Sequence, residues 1–185
     1  MVRAFLAFEM SVEVRQRLAE EMQTLRRRMP DARWVKPSGL HLTLKFLGET
    51  SQDVLDAVTA ELAPLVGTLD AVPVQLAGAG FFPSRTRPRV AWVGGEARGA
   101  LEVARTVEEV ASKNGFEREG RPWSLHLTLA RLRTPWPARD VAAFEEWGQR
   151  LELAPFVCTE VVLFSSDLQP SGAVYTALQR MRLRS

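Results

Sequence analysis

The tetrapeptide His41-Leu42-Thr43-Leu44 returns 85 residues later (126 − 41) as His126-Leu127-Thr128-Leu129, and no other feature of this 185-residue chain restricts its fold as much. A period near half the chain is the mark of a duplicated unit. The surroundings repeat too. Residues 3–8 are apolar and aromatic enough for a buried strand, and Ser11 is placed to cap an amphipathic helix ending near Met29 and Pro30. In the second half, residues 90–93 supply the strand and residues 101–112 the helix. That helix carries Leu101, Ala104, Val107 and Val110 on one face, and Asn114-Gly115 stops it. A further helix follows each His-Leu-Thr-Leu segment, over residues 53–66 and 140–151, then a strand-like run at 72–76 and 156–164. A last strand at 173–178 closes an order of strand, helix, strand, helix, strand, met twice.

Such units joined by short connections predict an α+β protein. Residues 1–185 should form one domain of two quasi-symmetric lobes, each a small, mostly antiparallel sheet with helices packed on its outer face. A doubly wound parallel sheet lacks its usual mark, because no Gly-rich turn follows Phe8. Gly78-Ala79-Gly80 does not replace it, since Phe81-Phe82-Pro83 comes next and not a helix. Residues 78–89, rich in Gly, Pro and Arg, read as a linker between the halves that can also touch substrate.

Strand parity turns the repeat into chemistry. Side chains at i and i+2 share a face, so His41 and Thr43 point one way while Leu42 and Leu44 anchor the other, and His126 and Thr128 do likewise. If an approximate two-fold axis relates the lobes, two imidazoles and two hydroxyls converge across a cleft. An imidazole near its ordinary pKa of about 6.5 can be base or acid at neutral pH, which suits cleavage of a phosphodiester. The hydroxyls of Thr43 and Thr128 would donate to the non-bridging oxygens. His41 and His126 are the only histidines in the chain, and packing alone does not account for both standing in the same tetrapeptide.

Other chemistries fit less well. Zinc needs about three protein ligands, and no Asp, Glu or Cys stands at i+2 or i+4 from either histidine. No metal and no cofactor is therefore expected. There is no Gly-x-Ser-x-Gly, and the single cysteine, Cys158, lies in the apolar run Phe156-Val157-Cys158, a core position in a reducing compartment. Residues 1–9 are too short an apolar run for a secretory signal, and no segment approaches the roughly 18 residues of a membrane span, so a cytoplasmic monomer away from membranes is expected. Lys and Arg total 24 against 22 Asp and Glu, which by itself says little about an anionic partner. Only Lys36, Lys45 and Lys113 are lysines; the remaining cations are arginines, whose guanidinium grips phosphate through two hydrogen bonds.

The stretch from Arg33 and Trp34 through His41 to Gly48 and Glu49, and the stretch from Trp123 through His126 to Arg131, resemble the two signatures of the 2H phosphoesterases. Within that superfamily the resemblance is to the RNA 2',3'-cyclic phosphodiesterases, also called 2'-5' RNA ligases. It extends to residues 3–7, to Phe82-Pro83-Ser84 and Pro88-Arg89-Val90, and to residues 165–168 with Gly172 and Tyr175. It implies a LigT-like bilobal fold and metal-independent hydrolysis of RNA 2',3'-cyclic phosphate ends to 2'-phosphomonoesters. In that scheme His126 takes a proton from water, His41 gives one to the departing 3'-oxygen, and the reverse reaction ligates RNA. The family usually has Pro just before the second histidine. Here Ser124-Leu125 stand there, which should alter the turn and not the chemistry.

Arg131, in the second signature, is a candidate phosphate grip, but its odd offset from His126 requires the strand to end or bulge near Ala130; otherwise it serves a structural ion pair. Lys45 shares parity with His41 and is a candidate for the RNA backbone or for solvent. Trp34 and Phe46 are available to stack on a base, although Phe46 shares parity with Leu42 and Leu44, which favours the core for it. Two rival functions keep these motifs: a nucleotide- or RNA-binding module without turnover, and a phosphodiesterase acting on small cyclic phosphates or 2'-5' oligonucleotides.

Overall fold

Apolar alternation and two duplicated pairs of helices build two antiparallel sheets in the computed structural model, which describes residues 1–170 and 172–185. The chain runs β1 (Val2–Glu9), α1 (Val12–Arg28), β2 (Ala32–Trp34), a 3-10 turn (Pro37–Gly39), β3 (His41–Thr50), α2 (Gln52–Val66) and β4 (Val72–Ser84). It continues through β5 (Arg87–Ala97), α3 (Ala100–Lys113), β6 (Leu127–Leu132), α4 (Ala138–Arg150), β7 (Phe156–Cys158), β8 (Glu160–Gln169) and β9 (Gly172–Arg182). Ser11 caps α1 as its sequence position predicts, its hydroxyl accepting from the Val14 amide at 3.2 Å, and Ser51 caps α2 through Val54. The stripe Val14, Leu18, Met22 and Leu25 then buries one face of α1.

The strand order is β3-β1-β8-β9 in the first sheet and β2-β6-β5-β4-β7 in the second. The α+β class holds, but neither sheet is made by one half of the chain. β8, from the second half, pairs with β1, while β4, from the first half, pairs with β5. Each half lends two strands to the other's sheet, β2 and β4 from the first half and β8 and β9 from the second, which ties the lobes together covalently and by hydrogen bonds. The residues 78–89 read as a linker are therefore the body of a hairpin, β4 turning into β5 at residues 85–86. One more expectation is corrected: the run 156–164 is split between β7 of the second sheet and β8 of the first. Residues 32–34, given no structure from the sequence, form an edge strand on β6.

The duplication survives down to register. In the first sheet Phe5 pairs Phe46, Ala7 pairs Thr43 and Phe8 pairs Leu42; in the second Val90 pairs Arg131, Trp92 pairs Thr128 and Val93 pairs Leu127, each 85 residues on. One face of each sheet joins a continuous apolar core with all four helices, from Leu6 and Leu18 to Phe144 and Leu163. The opposite face of the first sheet carries its own small cluster, Phe5, Ala7, Val162 and Phe164, with Tyr175 against it. Among the described residues no helix is long and apolar enough to cross a membrane.

Candidate active site

A repeated irregularity decides which side chains share a face with the histidines. Between Leu6–Lys45 and Ala7–Thr43 the register slips by one, leaving Leu44 as an extra residue in β3. Between Ala91–Ala130 and Trp92–Thr128 the same slip leaves Leu129 extra in β6. A bulge adds one residue and reverses the alternation beyond it. Arg131, at an odd offset from His126, therefore lies on the face of Thr128 and is exposed, while its neighbours Ala130 and Leu132 are buried. By the same slip Phe46 comes to the face of Thr43. It is 55% exposed, with its ring 5.9 Å from that of Phe5, which corrects its assignment to the core.

Both histidines are held alike. His41 Nδ1–H donates to the Gly39 carbonyl at 2.8 Å, and His126 Nδ1–H to the Ser124 carbonyl at 3.0 Å. Each bond fixes the tautomer and leaves Nε2 as the reactive nitrogen. Ser124, standing where the family favours a neighbouring proline, supplies this anchor through its backbone. Gly39 is needed for room, since a Cβ there would meet the Tyr175 ring at 3.2 Å. The His41 ring lies tilted on Phe5 at 4.5 Å and edge-on to Tyr175 at 5.0 Å. The His126 ring is edge-on to Phe82 at 5.2 Å. Phe82 in turn packs on Trp92, whose ring lies so close over Gly80 that a Cβ would stand 2.5 Å from it.

The apolar floor has an electrical consequence. Burial pushes the His41 pKa down from 6.5 to about 4; the Gly39 carbonyl opposes this, and repulsion from His126 adds to it. The two rings are thus close enough to feel each other's charge, and His41 is neutral at neutral pH in the free protein. A histidine with a lower pKa folded than unfolded binds fewer protons when folded. Its contribution to stability is whole above about 6.5 and is lost as pH falls toward about 4. Wild type should lose roughly 3 kcal/mol across that window relative to His41→Asn, which lacks the titration. Urea unfolding of both proteins over the window checks this; parallel declines would contradict it.

Lys45 is not at the reacting face. Its side chain is 2% exposed, and Nζ donates to Glu108 Oε1 at 3.0 Å and to the Glu117 carbonyl at 2.5 Å, with Glu119 at 3.8 Å. The bulge at Leu44 turns it inward, where Ala130 stands in the other repeat, so the ammonium is occupied within the fold. Trp34 also faces the helices, with its ring 6.2 Å from Trp136, and is not placed to stack on a base in the cleft. A residue that parity alone does not reveal is Trp123, whose indole N–H donates to the Thr43 carbonyl at 2.8 Å. With Lys45, it ties the segment leading to His126 onto the strand that carries His41.

The buried thiol of Cys158 is pushed up to about 12 by burial, which removes it as a nucleophile at neutral pH. Among the described residues no cluster of three His, Cys, Asp or Glu side chains could hold a metal ion.

Comparison with known proteins finds relatives along nearly the whole chain. The family model of the 2'-5' RNA ligase superfamily matches residues 14–170. The RNA 2',3'-cyclic phosphodiesterase of Thermus thermophilus is 34% identical over 192 residues, covering 99% of this chain and 91% of that protein. Its namesake from Methanothermobacter thermautotrophicus is 30% identical over 183 residues, covering 98% and 99%. Among solved structures, TT0787 of Thermus thermophilus superposes with a TM-score of 0.80 at 30% identity, covering 99% of this chain and 98% of that one. E. coli LigT complexed with 3'-AMP superposes with a TM-score of 0.76 at 25% identity, covering 100% and 99%.

Proposed function

The chain belongs to the 2'-5' RNA ligase superfamily and is a cyclic phosphodiesterase; on that premise we propose that His41 and His126 together open the terminal 2',3'-cyclic phosphate of RNA to a 2'-phosphomonoester, with no metal. The observation that carries this reading is the symmetry of the two imidazoles, each with Nδ1 tied to the carbonyl two residues back and Nε2 left for chemistry. Water attacks phosphorus opposite the 3'-oxygen, and His126 Nε2 takes its proton. The bond from phosphorus to the 3'-oxygen breaks, and His41 Nε2–H hands its proton to that oxygen. A 2'-phosphate and a 3'-hydroxyl result, and the proton on His126 returns to His41 through solvent.

His41 needs a proton for this role, and the free protein holds it neutral. The anionic phosphodiester between the rings supplies the compensating charge, so substrate binding raises its pKa and draws in a proton. Thr43 and Thr128 donate to the non-bridging oxygens, and Arg131 balances the charge that builds there. With a 5'-hydroxyl in place of water, the same transfers join RNA through a 2'-5' bond. Both histidines come from one chain, so a monomer suffices.

An RNA oligonucleotide ending in a 2',3'-cyclic phosphate, incubated with purified protein and EDTA, should be converted to the 2'-phosphomonoester. Loss of turnover on chelation, or a 3'-phosphate product, would overturn the reading. That a relative, E. coli LigT, was solved complexed with 3'-AMP supports a nucleotide-sized site.

A further inference from the structure

The face that carries Thr128 and Arg131 does not stop at β6. On the edge strand β2, Arg33 is the direct register partner of Arg131, and like Arg131 it is exposed, whereas its neighbours Ala32 and Trp34 pack against the core. Directly paired residues on neighbouring antiparallel strands share a face, with Cβ atoms about 5 Å apart, and like charges so placed repel. Among the described residues no carboxylate or hydrogen bond meets either guanidinium. By contrast Arg133, two residues on, is answered by Asp31 at 3.1 Å. Two unanswered guanidiniums set side by side repel, and an anion from outside the chain would relieve that repulsion.

Beyond Arg33 the surface continues as an open groove of about 450 Å³ between the end of α1 and β2, lined by Arg26, Asp31, Arg33, Trp34 and Lys36. Arg26 is held there by donating to the Val35 carbonyl at 3.1 Å. From the reacting face outward the order is Thr128, Arg131, Arg33 and then this groove. A single cyclic nucleotide has one phosphate and cannot use such a path. A strand of RNA presents a phosphate at every step.

We propose that Arg33 and the groove beyond it hold the phosphodiester backbone of the RNA strand upstream of the cyclic end, so that the chain prefers RNA ends over free 2',3'-cyclic mononucleotides. This rests on the reading of the site as one for RNA cyclic phosphates. In this arrangement the cyclic phosphate lies between the histidines beside Arg131, and the next phosphate upstream lies at Arg33, its partner on the neighbouring strand. Backbone contacts of this kind position the strand without reading its sequence.

The test compares a ten-nucleotide RNA bearing a 2',3'-cyclic end with uridine 2',3'-cyclic phosphate, in wild type, Arg33→Ala and Arg33→Glu. On the RNA, kcat/KM should fall about tenfold in Arg33→Glu and less in Arg33→Ala, while the values for the mononucleotide change less than about twofold. The slope of log kcat/KM against log salt for the RNA should flatten by about 0.7, the share of one single-strand contact. Equal loss on both substrates, or no loss on the RNA, would overturn the path. If wild type opens neither substrate, the function itself has failed; if it opens both and Arg33→Glu does not discriminate, only the strand path has.

Discussion

His41→Ala and His126→Ala should each lower kcat on a cyclic-ended RNA by about a thousandfold, with KM changed by no more than a few-fold. A positioned acid or base is worth roughly 10²–10⁴ in rate, and this site has one of each. The double variant should be little worse than either single one, since transfers that occur together do not add when removed. Neither change threatens the fold. Both rings sit on the cleft side, outside the main core, and His41→Asn keeps much of the volume between Phe5 and Tyr175 if the cavity itself proves costly. Single-turnover rates measured beside unfolding curves separate the two effects. Retention of more than about a tenth of the wild-type rate in either variant contradicts the assignment.

Lys45→Met should act on stability and leave substrate binding alone. The ammonium is buried beneath β3 and bound to Glu108 and to the Glu117 carbonyl, so its loss unties the segment that leads to His126. Breaking a buried pair costs about 3–5 kcal/mol where the remaining charge is stranded. Here Glu108 is 20% and Glu119 60% exposed, so both carboxylates recover water and the cost drops to roughly 2–3 kcal/mol. In a chain of this size that lowers Tm by about 4–12 °C. At a temperature where the variant is folded, KM for RNA should match wild type within about twofold. A raised KM with an unchanged Tm would return Lys45 to the substrate.

How far the sequence can be read depends on which feature is asked about. The duplicated tetrapeptide marks the two reacting side chains and the pseudo-symmetry, because strand parity is reliable over two residues. It fails over five, since one extra residue at Leu44 and at Leu129 reverses every face beyond. A trace of this is visible. The leucines run 40, 42, 44 and then 47, and in the repeat 125, 127, 129 and then 132; the same break from two to three in both places marks a bulge, and with it the inward Lys45 and outward Phe46. The exchange of β4 and β8 leaves no such trace. It depends on which sheet edge a long strand meets, and residues 78–89 look like a linker because Gly80 and Pro83 are chosen for close packing under Trp92 and at the hairpin end, not for flexibility.

The division of labour between the histidines is tested most directly by a cyclic substrate with sulfur replacing the 3'-bridging oxygen. A thiolate leaves without needing a proton, so the loss of the acid ceases to matter while the loss of the base does not. His41→Ala should then regain activity to within about tenfold of wild type, whereas His126→Ala should stay about a thousandfold down. Rescue of His126→Ala in place of His41→Ala, or equal response of the two, would contradict the roles assigned to them.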